Sequence, residues 1–235
     1  MKAYNNEHHT MLHLLLCLLH LTQSIVHIVL GLNEPKYLDV TRTNINGPPW
    51  HTPGVNVTHT VSVIGVMQPK LIVASYFMIT ALSHLIQYFK PHVFIRWAEY
   101  SITSTLMMVV ILGMMGILDL NAICLGATCN FSMIIFGVEM DRQRMKCTNA
   151  YFEFVCGSLI GFVPWVLIFA TLKPDTLPIV YAMVILTFIL FFSFAVVALV
   201  GLLRPNRNCE ENAYSALSLT TKSFLGWIVY GAFNF

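Results

Sequence analysis

Charge is the first thing this chain lacks. Only 10% of its 235 residues are Asp, Glu, Lys or Arg, while 57% are hydrophobic. A soluble domain usually carries about a quarter charged residues, so this composition excludes a water-solvated globule and points to an integral membrane protein. Net charge is scarce too, at +2. That argues against a nucleic-acid partner and leaves the lipid membrane as the expected surroundings. The six cysteines, Cys17, Cys124, Cys129, Cys147, Cys156 and Cys209, form no CxxC pair and no His/Cys ligand spacing. No metal is expected from them, and the five in or beside apolar runs read as small packed core residues. A Ser/His/Asp arrangement and a phosphate loop are missing as well, so an enzyme is not expected.

What is there in quantity is long apolar sequence. Seven runs are long enough to cross a hydrocarbon core, near 10–32, 70–89, 92–117, 120–139, 150–172, 178–203 and 212–234. Pro35, Pro69, Pro91, Pro174, Pro178 and Pro205 fall at their ends, where proline is tolerated or stops a helix. Pro164 lies inside the fifth run and should kink it. The fold class is therefore an all-α membrane protein, a seven-transmembrane helix bundle forming one domain over 1–235. The first run is long enough to span and does not read as a cleaved leader.

The basic residues orient the bundle. Lys2, Lys90, Arg96, Arg142, Arg144, Lys146, Arg204 and Arg207 gather on one side, which predicts a cytoplasmic N-terminus and an extracellular C-terminus. The loop 33–68 is then extracellular. Within it Val55, Val57, His59, Val61 and Val63 alternate with polar residues at strand period. Asn46-Gly47-Pro48-Pro49 is a turn signal, and the segment Tyr37–Ile45 is the natural strand partner. A β-hairpin over the outer face is predicted. Asn56-Val57-Thr58 is a glycosylation sequon on that side.

Against so few charges, each one inside a span needs a partner or a function. Between Glu211 and Phe235 the only charged side chain is Lys222. It lies about 16 Å into its span, too deep to snorkel. Glu99 in the third span lies at a depth of about 12 Å from the same side. A Lys222–Glu99 pair is geometrically possible, with Arg96 as a rival partner for Glu99. His13, His20 and His27 recur at intervals of seven in the first span, with Gln23 and Ser24 near the same face, and His84 adds an imidazole in the second. Together these mark an inward polar pocket able to hold a proton, with His13 and His27 nearer the interfaces. Glu139, Asp141 and Glu153 sit beside Arg142, Arg144 and Lys146. They read as a solvated, mutually neutralising loop or, more sharply, as an acidic entrance for protons.

A deep lysine has one chemistry that a packing ion pair does not need: its neutral amine condenses with an aldehyde to a Schiff base, which when protonated calls for a nearby anion. The sequence around it is specific. LHLTQ stands in the first span, INGPP in the loop, ALSHL in the second span and RWAEYSITSTLM in the third. NFSMIIFG is in the fourth, GFVPW in the fifth, VYAM and FFSFA in the sixth, and SLTTKSFLGW in the seventh. In these stretches the chain resembles the heliorhodopsins, seven-helix retinal proteins with an inverted membrane orientation.

The resemblance implies all-trans retinal bound covalently as a Schiff base on Lys222, with Glu99 as counterion and Ser218 beside the imine. It sets Thr103, Ser104, Met107, Asn130, Trp165, Phe191 and Trp227 around the chromophore. It gives His20 and His84, with Gln23, a part in proton transfer after illumination. It further implies light sensing with a slow photocycle suited to signalling, a homodimer in which the hairpin takes part, and a signalling partner on the cytoplasmic side. The chain departs from the family pattern at Glu139 and Glu153, where apolar or proline residues are more usual. That leaves a light-gated proton channel or transporter with the same chromophore as the alternative. A third reading keeps Lys222 and Glu99 only as a pair that fixes helix packing.

Overall fold

The computed structural model describes residues 7–46, 58–90 and 92–234. Seven helices and one hairpin follow in order: α1 Glu7–Asn33, β1 Leu38–Asn46, β2 Thr58–Met67, α2 Pro69–Phe89, α3 Val93–Met114, α4 Leu120–Met145, α5 Tyr151–Thr171, α6 Pro178–Leu203 and α7 Arg207–Asn234. Six of them, α1 to α6, are long and apolar enough to cross a membrane. The seventh is less apolar because it carries several serines and threonines, Lys222 and a charged first turn. This is a multi-pass membrane protein with a rhodopsin-like seven-helix architecture.

Prolines start α2 and α6 at the first helical turn, where no N–H is needed. Pro164 is buried within an α5 that runs unbroken past it. The turn between α3 and α4 needs glycine: Gly116 has φ +75, a left-handed backbone that closes the helix end through Ile117 N–H donating to Leu112 O at 2.9 Å. Two helices run further than the apolar runs suggested. α4 continues to Met145 and α7 begins at Arg207, because the charges there are paired rather than solvated.

The predicted hairpin is present, and its strands pair antiparallel from Leu38↔Met67 to Asn46↔Thr58. A bulge between Val40 and Thr41 leaves Ile64 as the extra residue. The turn at 47–49, the sequon residue Asn56 and the residues Val55, Val57, Pro91 and Lys2 lie outside the described residues. Asp119 fastens the hairpin to the bundle. One carboxylate oxygen caps α4 by accepting from Asn121 N–H at 2.9 Å, and the other accepts from Thr43 N–H at 2.9 Å. Those backbone donors, Thr43 first, hold the Asp119 carboxyl below its usual range. Gly113 lets Met67 and Leu38 pack down onto the end of α3, since a Cβ there would collide with the Met67 methyl.

These contacts bring the end of α3 and the start of α4 to the hairpin end. At the opposite end the starts of α3 and α7 meet the end of α4 through Arg96, Asp141, Arg207, Arg144 and Glu210. The chain therefore passes up and down, and two buried clusters fill it. One, around Met107, Met108, Trp165, Ile168 and Leu225, lies toward the hairpin end. The other, around Trp97, Tyr100, Met140 and Tyr214, lies toward the opposite end.

Candidate functional site: a buried lysine at the wall of an apolar cavity

The ion pair expected from depth alone is formed. Lys222 Nζ donates to Glu99 Oε1 at 2.5 Å and to Ser218 Oγ at 2.8 Å, one turn back along α7. Both charged residues are buried, at 3% and 6% exposure. Glu99 Oε1 also accepts from Thr103 Oγ1 at 2.8 Å, one turn on in α3, and from Thr80 Oγ1 at 2.7 Å, reaching across from α2. One carboxylate oxygen thus gathers an ammonium and two hydroxyls. Charge-assisted bonds of this kind are what make a buried carboxylate tolerable. The ammonium also lies over the Tyr100 ring, 5.2 Å from its centroid.

The rival pairing is not formed. Arg96 turns away from Glu99 to Asp141 at 3.2 Å and to Glu211, stacked between Trp97 and Tyr214. Asp141 corrects a second expectation. Read as part of a solvated loop, it is in fact 2% exposed and receives Arg96, Arg144, Arg207 and the Trp97 indole N–H. Glu139 does face out and pairs with Arg142.

Lys222 opens onto an elongated cavity running between α3, α4, α5, α6 and α7. Eight of the residues expected near the chromophore border it: Lys222, Ser218, Thr103, Ser104, Met107, Asn130, Trp165 and Phe191. Asn130 donates to Ser104 Oγ at 2.8 Å, and Ser104 donates in turn to Tyr100 O at 2.7 Å, which links α4 to α3 on one wall. Phe188, Phe191 and Trp165 meet edge to face on the other wall, with centroids 5.1 and 5.5 Å from Trp165. Glycines let α4 and α5 pack closely beside the cavity. A side chain at Gly161 would run into the Met133 thioether.

Glu99 stands behind Lys222 rather than on the lining, and Trp227 is placed elsewhere. Trp227 does not border the cavity: it is 48% exposed and packs against His27 at 5.6 Å and Tyr230 at 5.8 Å. The sequence places it five residues beyond Lys222, which rotates it to a different face of α7.

The histidines form a ladder between α1 and α2. His13 Nδ1 and His84 Nδ1 face each other at 2.9 Å, and His20 stacks on His84 at 5.7 Å with the rings 1° from parallel. Phe77 separates His20 from His27, at 5.7 and 5.6 Å. His13 and His27 are buried too, one toward each end of α1. Neither ring nitrogen of His20 has a hydrogen-bond partner among the described residues. Gln23 Nε2 donates to Ser223 Oγ at 2.7 Å, which ties α1 to the residue next to Lys222.

Sequence reading missed Thr80 and Tyr76. Their signal was present: Tyr76, Thr80 and His84 recur every four residues on one face of an otherwise apolar α2.

The heliorhodopsin family model matches residues 10–233. The chain belongs to the heliorhodopsin family. No curated protein matches it. Membership implies a retinal chromophore and a light-sensing rhodopsin. The residues present fit that group. This heliorhodopsin offers an amine at the wall of an elongated cavity, an anion 2.5 Å from it, and aromatic and methionine side chains along the rest.

Proposed function

We propose that this heliorhodopsin is a light-sensing photoreceptor in which Lys222 holds all-trans retinal covalently as a protonated Schiff base. The observation that carries the reading is Lys222 at the cavity wall beside Ser218, with Glu99 bonded to its ammonium from behind. When bound, retinal supplies light absorption and isomerisation. The protein supplies the rest. Glu99 stabilises the proton on the lysine nitrogen, and Thr80 and Thr103 hold Glu99 in place. Ser218 accepts from the same nitrogen. The cavity lining excludes water and restricts which way the chromophore can turn. The His20–His84 stack on the α1–α2 side takes the proton-transfer role, with Gln23, which bonds Ser223 next to Lys222.

The same reading includes a cytoplasmic N-terminus, supported by the basic residues at the end opposite the hairpin. It includes a slow photocycle for signalling to a partner on the cytoplasmic side, and a homodimer with the hairpin at its interface. No chemistry of an enzyme is assigned. The test is an absorption spectrum of the purified protein with all-trans retinal, beside Lys222→Ala. A visible band in the first and none in the second is expected, with a red shift in Glu99→Gln. Two folded but colourless samples would overturn the reading.

One observation favours light-gated proton movement with the same chromophore as a second reading. Glu153 borders the cavity, and its Oε2 is buried with no hydrogen-bond partner among the described residues. Glu139 faces out with Arg142 and gives no such support. Light-evoked proton current that falls several-fold in Glu153→Gln is the expected result on this reading. Absence of current at every voltage removes it.

A further inference from the structure

Tyr76 is fully buried, and its hydroxyl donates to the main-chain carbonyl of Lys222 at 3.0 Å. A carbonyl inside a helix already faces the N–H four residues on, here Gly226. The tyrosine therefore grips the peptide unit of the lysine and leaves its ammonium to Glu99. At Gly226 itself α7 is pressed against its neighbours: a Cβ would stand 2.8 Å from Phe77 Cε2 and 3.1 Å from His27 Nε2. One turn from Tyr76 on the same face of α2, Thr80 holds Glu99. So α2 touches both partners of the ion pair, one through its backbone and one through its carboxylate.

α2 does not stand alone. Ser24 donates to Ala74 O at 2.8 Å, Gln68 donates to Gly31 O at 2.6 Å, and His13 meets His84 at 2.9 Å. These bonds tie α1 to α2 at the hairpin end, in the middle and at the opposite end. β2 also ends at Met67, two residues before α2 begins at Pro69.

We propose that Tyr76 couples the lysine-bearing turn of α7 to the α1–α2 pair, and that this joint carries the light-driven change out of the pocket. The inference rests on the retinal reading above. Displacing the Lys222 side chain strains its own peptide unit, and Tyr76 is the side chain bonded to that unit from another helix. The hydroxyl is a positioning group: it touches neither the reacting nitrogen nor its counterion.

The test is light-minus-dark infrared spectroscopy of the full chain loaded with all-trans retinal and labelled with 13C at the lysine carbonyls. Tyr76→Phe keeps the ring and removes only the hydroxyl. Its visible maximum should stay within a few nanometres of the unsubstituted protein, as the nitrogen and Glu99 are untouched. A labelled carbonyl band should appear in the difference spectrum and move to higher wavenumber in Tyr76→Phe, because a carbonyl that loses a donor stiffens. Dark recovery should slow about fivefold, equivalent to ~1 kcal/mol, since the bond must re-form on return. Identical carbonyl bands and recovery in the two proteins would overturn the coupling while leaving the pigment intact. If Tyr76→Phe does not fold, the unsubstituted protein decides: a difference spectrum with no labelled carbonyl band also overturns the coupling. An unsubstituted protein that forms no visible band loses the retinal reading and this inference together.

Discussion

Two buried charge sites stand in the same bundle and are built on opposite plans. At the cavity wall one lysine meets one carboxylate, with only neutral hydroxyls around them. At the end away from the hairpin three arginines and three acids interlock: Arg96 on Asp141 and Glu211, Arg144 on Asp141 and Glu210, Arg207 on Asp141. Arg144 adds the Gly201 carbonyl at 2.9 Å, which brings in the end of α6. The difference lies in the cations. A guanidinium cannot lose its proton in a protein, so its charge must be met by fixed partners. An amine can lose its proton, and must do so before it condenses with an aldehyde. The arginine site is a staple joining α3, α4, α6 and α7. The lysine site holds a cation that can become neutral.

That contrast is broken or sharpened first by paired isosteric substitutions. Asp141→Asn leaves three guanidinium groups short of one shared charge, with no proton to shed. Breaking a buried pair by removing one partner costs about 3–5 kcal/mol, and the remaining Glu210 and Glu211 place this variant at the lower end, ~3 kcal/mol. Glu99→Gln leaves an amine that can become neutral, so its loss of fold stability should be about 1 kcal/mol, while its effect on colour is large. Thermal unfolding of retinal-free protein in detergent, followed by circular dichroism, separates the two. Equal losses would mean that Lys222–Glu99 is a staple as well, and the packing-only reading of the pair would gain.

The two sites also differed in how much could be read beforehand. Lys222–Glu99 was legible because both residues are isolated charges in apolar runs, and helix rise alone sets their depths. The seven helices and the hairpin were legible from run length and strand period. The arginine staple was not. Its residues come from chain segments far apart, and a cluster of both signs near a span end looks the same whether solvated or buried until the helices are packed. The rotation of Trp227 off the cavity was readable in its five-residue offset from Lys222, but a motif match by itself carries no angular information. Thr80 and Tyr76 carry no charge, so nothing singled them out from the other hydroxyls, although their spacing on α2 was visible.

Thr80 offers the finer probe. Its hydroxyl has one proton and two acceptors, Glu99 Oε1 at 2.7 Å and the Tyr76 carbonyl at 2.9 Å. A single proton cannot serve both fully, so the charged acceptor wins while Glu99 is ionised. Thr80→Val keeps the shape and removes the donor, taking about 1–2 kcal/mol of stabilisation from the carboxylate. With less of its charge drawn toward α2, Glu99 acts more strongly on the lysine nitrogen. Excitation of a protonated retinal imine moves positive charge away from that nitrogen, so a stronger anion beside it favours the ground state. The visible band of Thr80→Val should therefore move to the blue, opposite to Glu99→Gln and several-fold less. A red shift would mean that the Thr80 proton points to the Tyr76 carbonyl in the dark. Glu99 would then rest on Thr103 and Lys222 alone, and α2 would hold the site through Tyr76 only.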